Sequence, residues 1–230
     1  MNLRRRRADQ PDLEAREALV RTMLELDQRG LNRGSAGNAS VRAAEGGFWI
    51  TPTGRSAAEL AVERLVWVDA AGLPHGDERP SSEWAFHRAV YAARPDLHAV
   101  LHAHAPHASA LACLRRGLPA FHYMVAVAGG DDVPCTPYHL FGSEALSAAV
   151  GAAMRDRLAC LMANHGIVAA GRDTAHAAKV LLEIETLCGI YLQTLAVGEP
   201  VCLSREEMAA VIERFKTYGQ PQARPERRRR

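Results

Sequence analysis

Residues 98–107 read His98-Ala99-Val100-Leu101-His102-Ala103-His104-Ala105-Pro106-His107, and this stretch decides the fold. Residues 99–102 have an apolar strand pattern, Pro106 follows, and residues 108–114 are helical. Strand followed by helix implies a sheet with helices laid on it, and the alternation recurs on both sides. Upstream, Leu13, Leu19, Val20, Met23, Leu24 and Leu26 have helical period, and Gly30 is placed to close that helix in a left-handed cap. Residues 39–42 and 47–50 read as two short strands about a turn, and Thr51-Pro52-Thr53-Gly54 breaks the second. Residues 65–68 form another strand, 69–76 a turn-rich excursion. A helix then opens at Ser81-Ser82-Glu83, continues through Trp84, Phe86, Val90 and Tyr91, and ends at Pro95.

Downstream, residues 121–138 contain two glycines and two prolines and are expected to be irregular strands and loops. Helices are expected over 143–157, 174–195 and 204–216, with a strand pair around 161–163 and 167–169. The fold class is α/β: a single three-layer domain over residues 11–219, with a central, mostly antiparallel sheet covered by helices on both faces. Residues 1–10 and 220–230 are expected to be disordered basic tails.

The 230 residues are 48% hydrophobic and 23% charged, which suits one globular domain. A chain of this length buries roughly 70% of its unfolded surface, so neither disulfides nor metal are needed to hold a core. The five cysteines are odd in number and form no Cys-x-x-Cys pair; they read as small core residues in a reducing compartment. No apolar run has signal-peptide or membrane-span length, so we expect a cytoplasmic protein with no membrane partner. The net charge is only +2, with arginines concentrated in residues 4–7 and 227–230. Terminal runs of this kind are usually solvated tails, and no nucleic-acid partner is expected.

Residues two apart on a strand share a face, so His102 and His104 can reach one ion. Catalytic zinc takes three protein ligands and keeps a position open, and His165, at a strand end beside Gly166, is the best third candidate. Hydrogen-bonded core or surface histidines remain the alternative. His98 and His107 have only proximity in their favour, and His75, His87, His122, His139 and His176 read as structural. The helix start at Ser81 and Ser82 is a candidate anion site, as are the turns Gly37-Asn38 and Thr53-Gly54, although an ordinary N-cap explains either serine. Glu83 suits the helix dipole, and it also suits a base placed beside a Lewis acid.

Together these motifs resemble the class II aldolase and epimerase family of sugar phosphates. The resemblance runs through residues 30–38, 50–54, 80–84, 122–124 and 215–219, and is strongest toward the L-fuculose-phosphate aldolase branch. It implies one zinc per chain held by His102, His104 and His165, with Glu83 as the acid/base that ligates the metal when no substrate is present. It implies phosphate binding by Gly37, Asn38, Thr53, Gly54, Ser81 and Ser82. Tyr123 would act from a neighbouring subunit of a homotetramer with shared sites, and Phe141 and Tyr218 would close over the substrate. The implied reaction splits L-fuculose 1-phosphate into dihydroxyacetone phosphate and L-lactaldehyde. The family also implies rival activities: 5-deoxyribulose 1-phosphate aldolase, ribulose-phosphate 4-epimerase and methylthioribulose-phosphate dehydratase. One departure is Asn164, which stands where the fuculose branch carries histidine.

Overall fold

The computed structural model describes residues 12–217. The two arginine tails and Tyr218 lie outside the described residues. Eight strands form one sheet: β1 Asn38–Arg42, β2 Phe48–Ile50, β3 Val66–Val68, β4 Pro74–His75, β5 Ala99–Ala103, β6 Cys135–Thr136, β7 Ala159–Met162 and β8 Gly166–Gly171. Their order is β4-β3-β2-β1-β5-β8-β7-β6. Every pairing is antiparallel except that of β6 with β7. Among the described residues six α-helices accompany them: α1 Leu13–Gln28, α2 Trp84–Ala93, α3 Pro106–Cys113, α4 Glu144–Ala153, α5 Thr174–Val197 and α6 Arg205–Phe215.

The central strand β5 is buried along its whole length. Its alternate residues divide between two cores, as the two-residue period requires. Ala99, Leu101 and Ala103 join Leu19 of α1, Leu111 of α3, Leu181 of α5 and Met208 of α6. Val100 joins Phe86 of α2 and Leu146 of α4 on the other face. The expected three layers follow from that division. α5 is long and apolar enough by composition to cross a bilayer, a property the sequence reading did not register. Here Ala177, Val180, Leu181, Ile184 and Leu187 bury that apolar surface in the first core.

Three local expectations need correction. The excursion after β3 contains a short strand, β4, paired to β3. Residues Tyr123–Ala128, expected as strand or loop, form a 3-10 helix; the His122 side chain accepts from the Met124 amide at its start, and Gly129, at φ 86°, closes it. The cysteines are also not uniformly core residues: Cys160 and Cys188 are buried, whereas Cys113 and Cys202 are exposed.

Candidate active site

The sheet topology brings distant sequence segments to one edge of β5. His102 is the fourth residue of that strand, and His104 follows its last residue. His165 lies in the three-residue turn between β7 and β8, because β8 pairs with both β5 and β7. Asn164 occupies the left-handed region of that turn at φ 56°, a conformation that asparagine tolerates better than most residues. Its amide donates to the Ala112 carbonyl at 3.0 Å, and its side chain accepts from Arg115 Nε at 2.9 Å. The turn is thereby tied to the end of α3.

One potential ligand atom from each of the three histidines lies within 4.8 Å of the others. His102 Nδ1 donates to the Ile167 carbonyl at 2.9 Å, which leaves Nε2 as a bare lone pair. That nitrogen lies 3.3 Å from Glu83 Oε2, while His165 Nε2 lies 3.5 Å from Glu83 Oε1. His102 Nε2 and Glu83 Oε1 are buried without a hydrogen-bond partner. A lone pair facing a carboxylate oxygen in a buried site calls for a cation between them, so these residues fit a metal ion. Three imidazoles without thiolate suit zinc. Burial, aided by the charge of His104, pushes His102 down to about 3 against the opposing pull of the Ile167 carbonyl. Burial also takes His165 to about 4 and lowers His104, while Glu83 opposes both shifts. Neutral rings are the form that binds a metal.

Glu83 is the N-cap of α2, one residue before the first turn in which its favourable dipole contact was expected, and it makes no side-chain cap bond. Its carboxylate turns inward instead and accepts from Asn38 Nδ2 at 3.0 Å. Ser81 Oγ takes over the local capping by accepting from the Glu83 amide at 3.3 Å. The segment after β2 is tied to the start of α2: Ser81 N donates to Thr51 O and Thr53 N to Arg79 O, both at 3.0 Å. Both predicted turns need glycine, because Gly37 has φ 74° and Gly54 has φ 73°. At Gly37 an added Cβ would also overlap Asn32, whose side-chain oxygen accepts from the His104 amide at 3.1 Å.

One cavity of about 350 Å³ is lined by Gly37, Asn38, Thr53, Gly54, Ser81 and Ser82, together with Glu83, His104, His165 and Phe141. Buried His102 lies behind that wall. Tyr123 is absent from the lining. It is half-exposed and packs its ring edge-on to Phe215 at 6.4 Å. Sequence reasoning missed Ser35, Tyr138 and His139 in the wall, and it missed Asn32 beneath it. Asn32 lies in the resembling stretch 30–38, but its contact could not be read there, since its partner His104 lies 72 residues away. His98 is exposed, while His107 Nδ1 meets buried Glu185 at 2.9 Å at the start of α3, away from the cluster. His87 was read as structural, but it is fully buried and bonded to Asn38, beside the site.

A helix-covered antiparallel sheet that carries three imidazoles and a carboxylate beside an amide-rich cavity has the makings of a metal-dependent enzyme. The chain belongs to the class II aldolase and adducin N-terminal domain family, which matches residues 17–192. It is 47% identical to the 5-methylthioribulose-1-phosphate/5-deoxyribulose-1-phosphate aldolase of Rhodospirillum rubrum, over 89% of this chain and 92% of that one. It is 46% identical to the L-fuculose phosphate aldolase of Escherichia coli K12, over 87% of this chain and 94% of that one. A solved L-fuculose 1-phosphate aldolase superposes with a TM-score of 0.85 at 38% identity, covering 89% of this chain and 97% of that one. These relatives agree on aldolase chemistry and differ in substrate.

Proposed function

We propose that this protein is a zinc-dependent aldolase that cleaves a ketose 1-phosphate into dihydroxyacetone phosphate and a short aldehyde. L-fuculose 1-phosphate, which yields L-lactaldehyde, is the leading substrate. The observation that carries the reading is that the candidate phosphate cradle, Glu83 and two of the three clustered histidines line the same cavity. His102, His104 and His165 would hold the metal, with Glu83 as a further ligand when no substrate is present. When bound, the metal supplies a Lewis acid for the substrate carbonyl.

The chain's own groups do the rest. The amides of the two glycine turns, with the Ser81 and Ser82 hydroxyls and the Asn38 amide, bind the phosphate. Glu83 accepts and returns a proton at the product's C3, because its carboxylate reaches into the cavity and is not used for helix capping. As the C3–C4 bond breaks, its electron pair stays on C3, which takes a proton from Glu83; the C4 hydroxyl gives its proton to solvent, which returns one to Glu83, and C4 becomes the aldehyde, steered by Tyr123 of an adjacent subunit in a homotetramer. Phe141, with Tyr138 beside it in the wall, offers rings to the aldehyde tail.

A second reading, cleavage of 5-deoxyribulose 1-phosphate or 5-methylthioribulose 1-phosphate, is favoured by the Rhodospirillum rubrum relative. It uses the same residues and differs only in the tail set against the aromatic wall. The test is a panel of ketose 1-phosphates assayed for dihydroxyacetone phosphate release, with L-fuculose 1-phosphate expected to give the highest kcat/KM. A higher value for a 5-deoxypentulose phosphate moves the assignment to the second reading, and no release from any member removes the aldolase proposal.

A further inference from the structure

A buried chain of hydrogen bonds leads away from Glu83 toward the core. Asn38 Nδ2 donates to Glu83 Oε2 at 3.0 Å, and Asn38 Oδ1 meets His87 Nε2 at 2.6 Å. His87 Nδ1 meets Ser40 Oγ at 2.7 Å, and Ser40 Oγ meets the Tyr91 hydroxyl at 2.9 Å. His87 and Ser40 have no exposed surface, and Asn38, Glu83 and Tyr91 are nearly as buried. Neighbouring segments supply the parts: Asn38 and Ser40 share one face of β1, while Glu83, His87 and Tyr91 recur every four residues along one side of α2.

The chain has only one consistent direction. A carboxylate oxygen accepts, so the Asn38 amide must present its nitrogen to Glu83 and its oxygen to His87. An amide oxygen cannot donate, so His87 Nε2 must carry the hydrogen. Complete burial favours the neutral ring, in which Nδ1 accepts from Ser40 and Ser40 accepts from Tyr91. A flipped Asn38 amide would set its oxygen against Glu83 and its nitrogen against a ring N–H, losing both bonds.

We infer that His87 is a positioning residue: it locks the Asn38 amide in one orientation and so holds the Glu83 carboxylate against the histidine cluster. The inference rests on the proposed role of Glu83 as acid/base. His87 touches no substrate and acts through Asn38. The second Asn38 amide hydrogen stays available to the cavity, so the same side chain can couple an occupied phosphate cradle to the orientation of the base.

Glutamine can place an amide N–H near the position of His87 Nε2, whereas leucine cannot. His87→Leu should slow exchange of the C3 hydrogen of dihydroxyacetone phosphate at saturating ligand by on the order of 10- to 100-fold, the cost of misplacing a reacting group. Its zinc content and oligomeric mass should match wild type. His87→Gln should recover exchange to within about threefold of wild type. Nitrogen NMR of the unmodified protein, with the His87 signal assigned by its loss in His87→Gln, should show a protonated Nε2 and a bare Nδ1. Wild-type exchange in a folded His87→Leu protein, a glutamine variant as slow as the leucine one, or a protonated Nδ1 would each overturn the inference. If His87→Leu does not fold, the NMR assignment and the glutamine variant still decide. Absence of exchange and cleavage in the wild-type protein would instead remove the aldolase reading, while the NMR result would still report on the hydrogen-bond direction.

Discussion

At the scale of single residues, the site is a set of nitrogen atoms kept bare. His102 is fixed by the Ile167 carbonyl, His104 by the Asn32 contact to its amide, and His165 by its place in the β7–β8 turn. His104 is exposed at the cavity wall while His102 is fully buried, so His104 can be truncated with less harm to the core. His104→Ala should fold and lose most bound zinc, because two imidazoles and a carboxylate hold the ion less tightly than the full set. Elemental analysis that finds full occupancy in this variant, or no zinc in the parent, would remove the metal assignment. The same residues set a dependence on pH. Folded, His102 sits at about 3 and His165 at about 4, against an ordinary value of 6.5. Below 6.5 the unfolded chain takes up protons that the folded chain refuses, so stability declines as pH falls toward the folded values. Metal-free protein should therefore lose Tm between about pH 6.5 and 5, above the range in which carboxylates titrate. Saturating zinc should raise Tm across the interval and leave the slope from these two rings unchanged, since the folded rings are already neutral there and the ion displaces no proton from them. Calorimetry showing a flat or rising Tm across that interval would contradict the assigned shifts.

Elements carry the positioning. The loop before β1 reaches the histidine cluster through Gly37, whose missing side chain leaves room for Asn32, which in turn holds the His104 amide. Gly54 has the same left-handed backbone, but nothing lies near its Cβ position. Gly37→Ala and Gly54→Ala should each lose about 1–2 kcal/mol in denaturant unfolding from backbone strain. Only Gly37→Ala should also weaken zinc binding in a titration; equal affinity in both variants would break the proposed link from loop to ligand. Strand period and turn chemistry made β1, β2 and β5 readable, and with them the His102–His104 pair. The 3-10 helix Tyr123–Ala128 was unreadable because its run of alanine and valine has no helical period, and its ends are set by the His122 side chain and Gly129. His87 was missed for a different reason. Its partner Asn38 is 49 residues away, and only the packing of α2 against β1 reveals that a buried histidine is linked through Asn38 to Glu83.

For the whole molecule, the open question is whether one chain contains a complete site. The cavity wall includes Glu83 and the proposed phosphate cradle but lacks Tyr123, which stands half-exposed on the 3-10 helix beside Phe215 of α6. An exposed tyrosine presents a large apolar ring and a hydroxyl donor, a combination common at subunit contacts. In the proposed homotetramer, Tyr123 reaches the cavity of the next subunit, and that arrangement makes a demand that a self-contained site does not. Tyr123→Phe and Glu83→Gln chains should each be nearly inactive when pure. Mixed and reassembled, some contacts would join an intact Tyr123 from one chain to an intact Glu83 in the other, restoring a fraction of the parental activity. In a self-contained site every cavity of the mixture would still lack one of the two groups, so no activity could return. Native mass spectrometry must first show that mixed tetramers form. Given such tetramers, recovered dihydroxyacetone phosphate release supports the shared site, and its absence places Tyr123 and Glu83 in the service of the same chain.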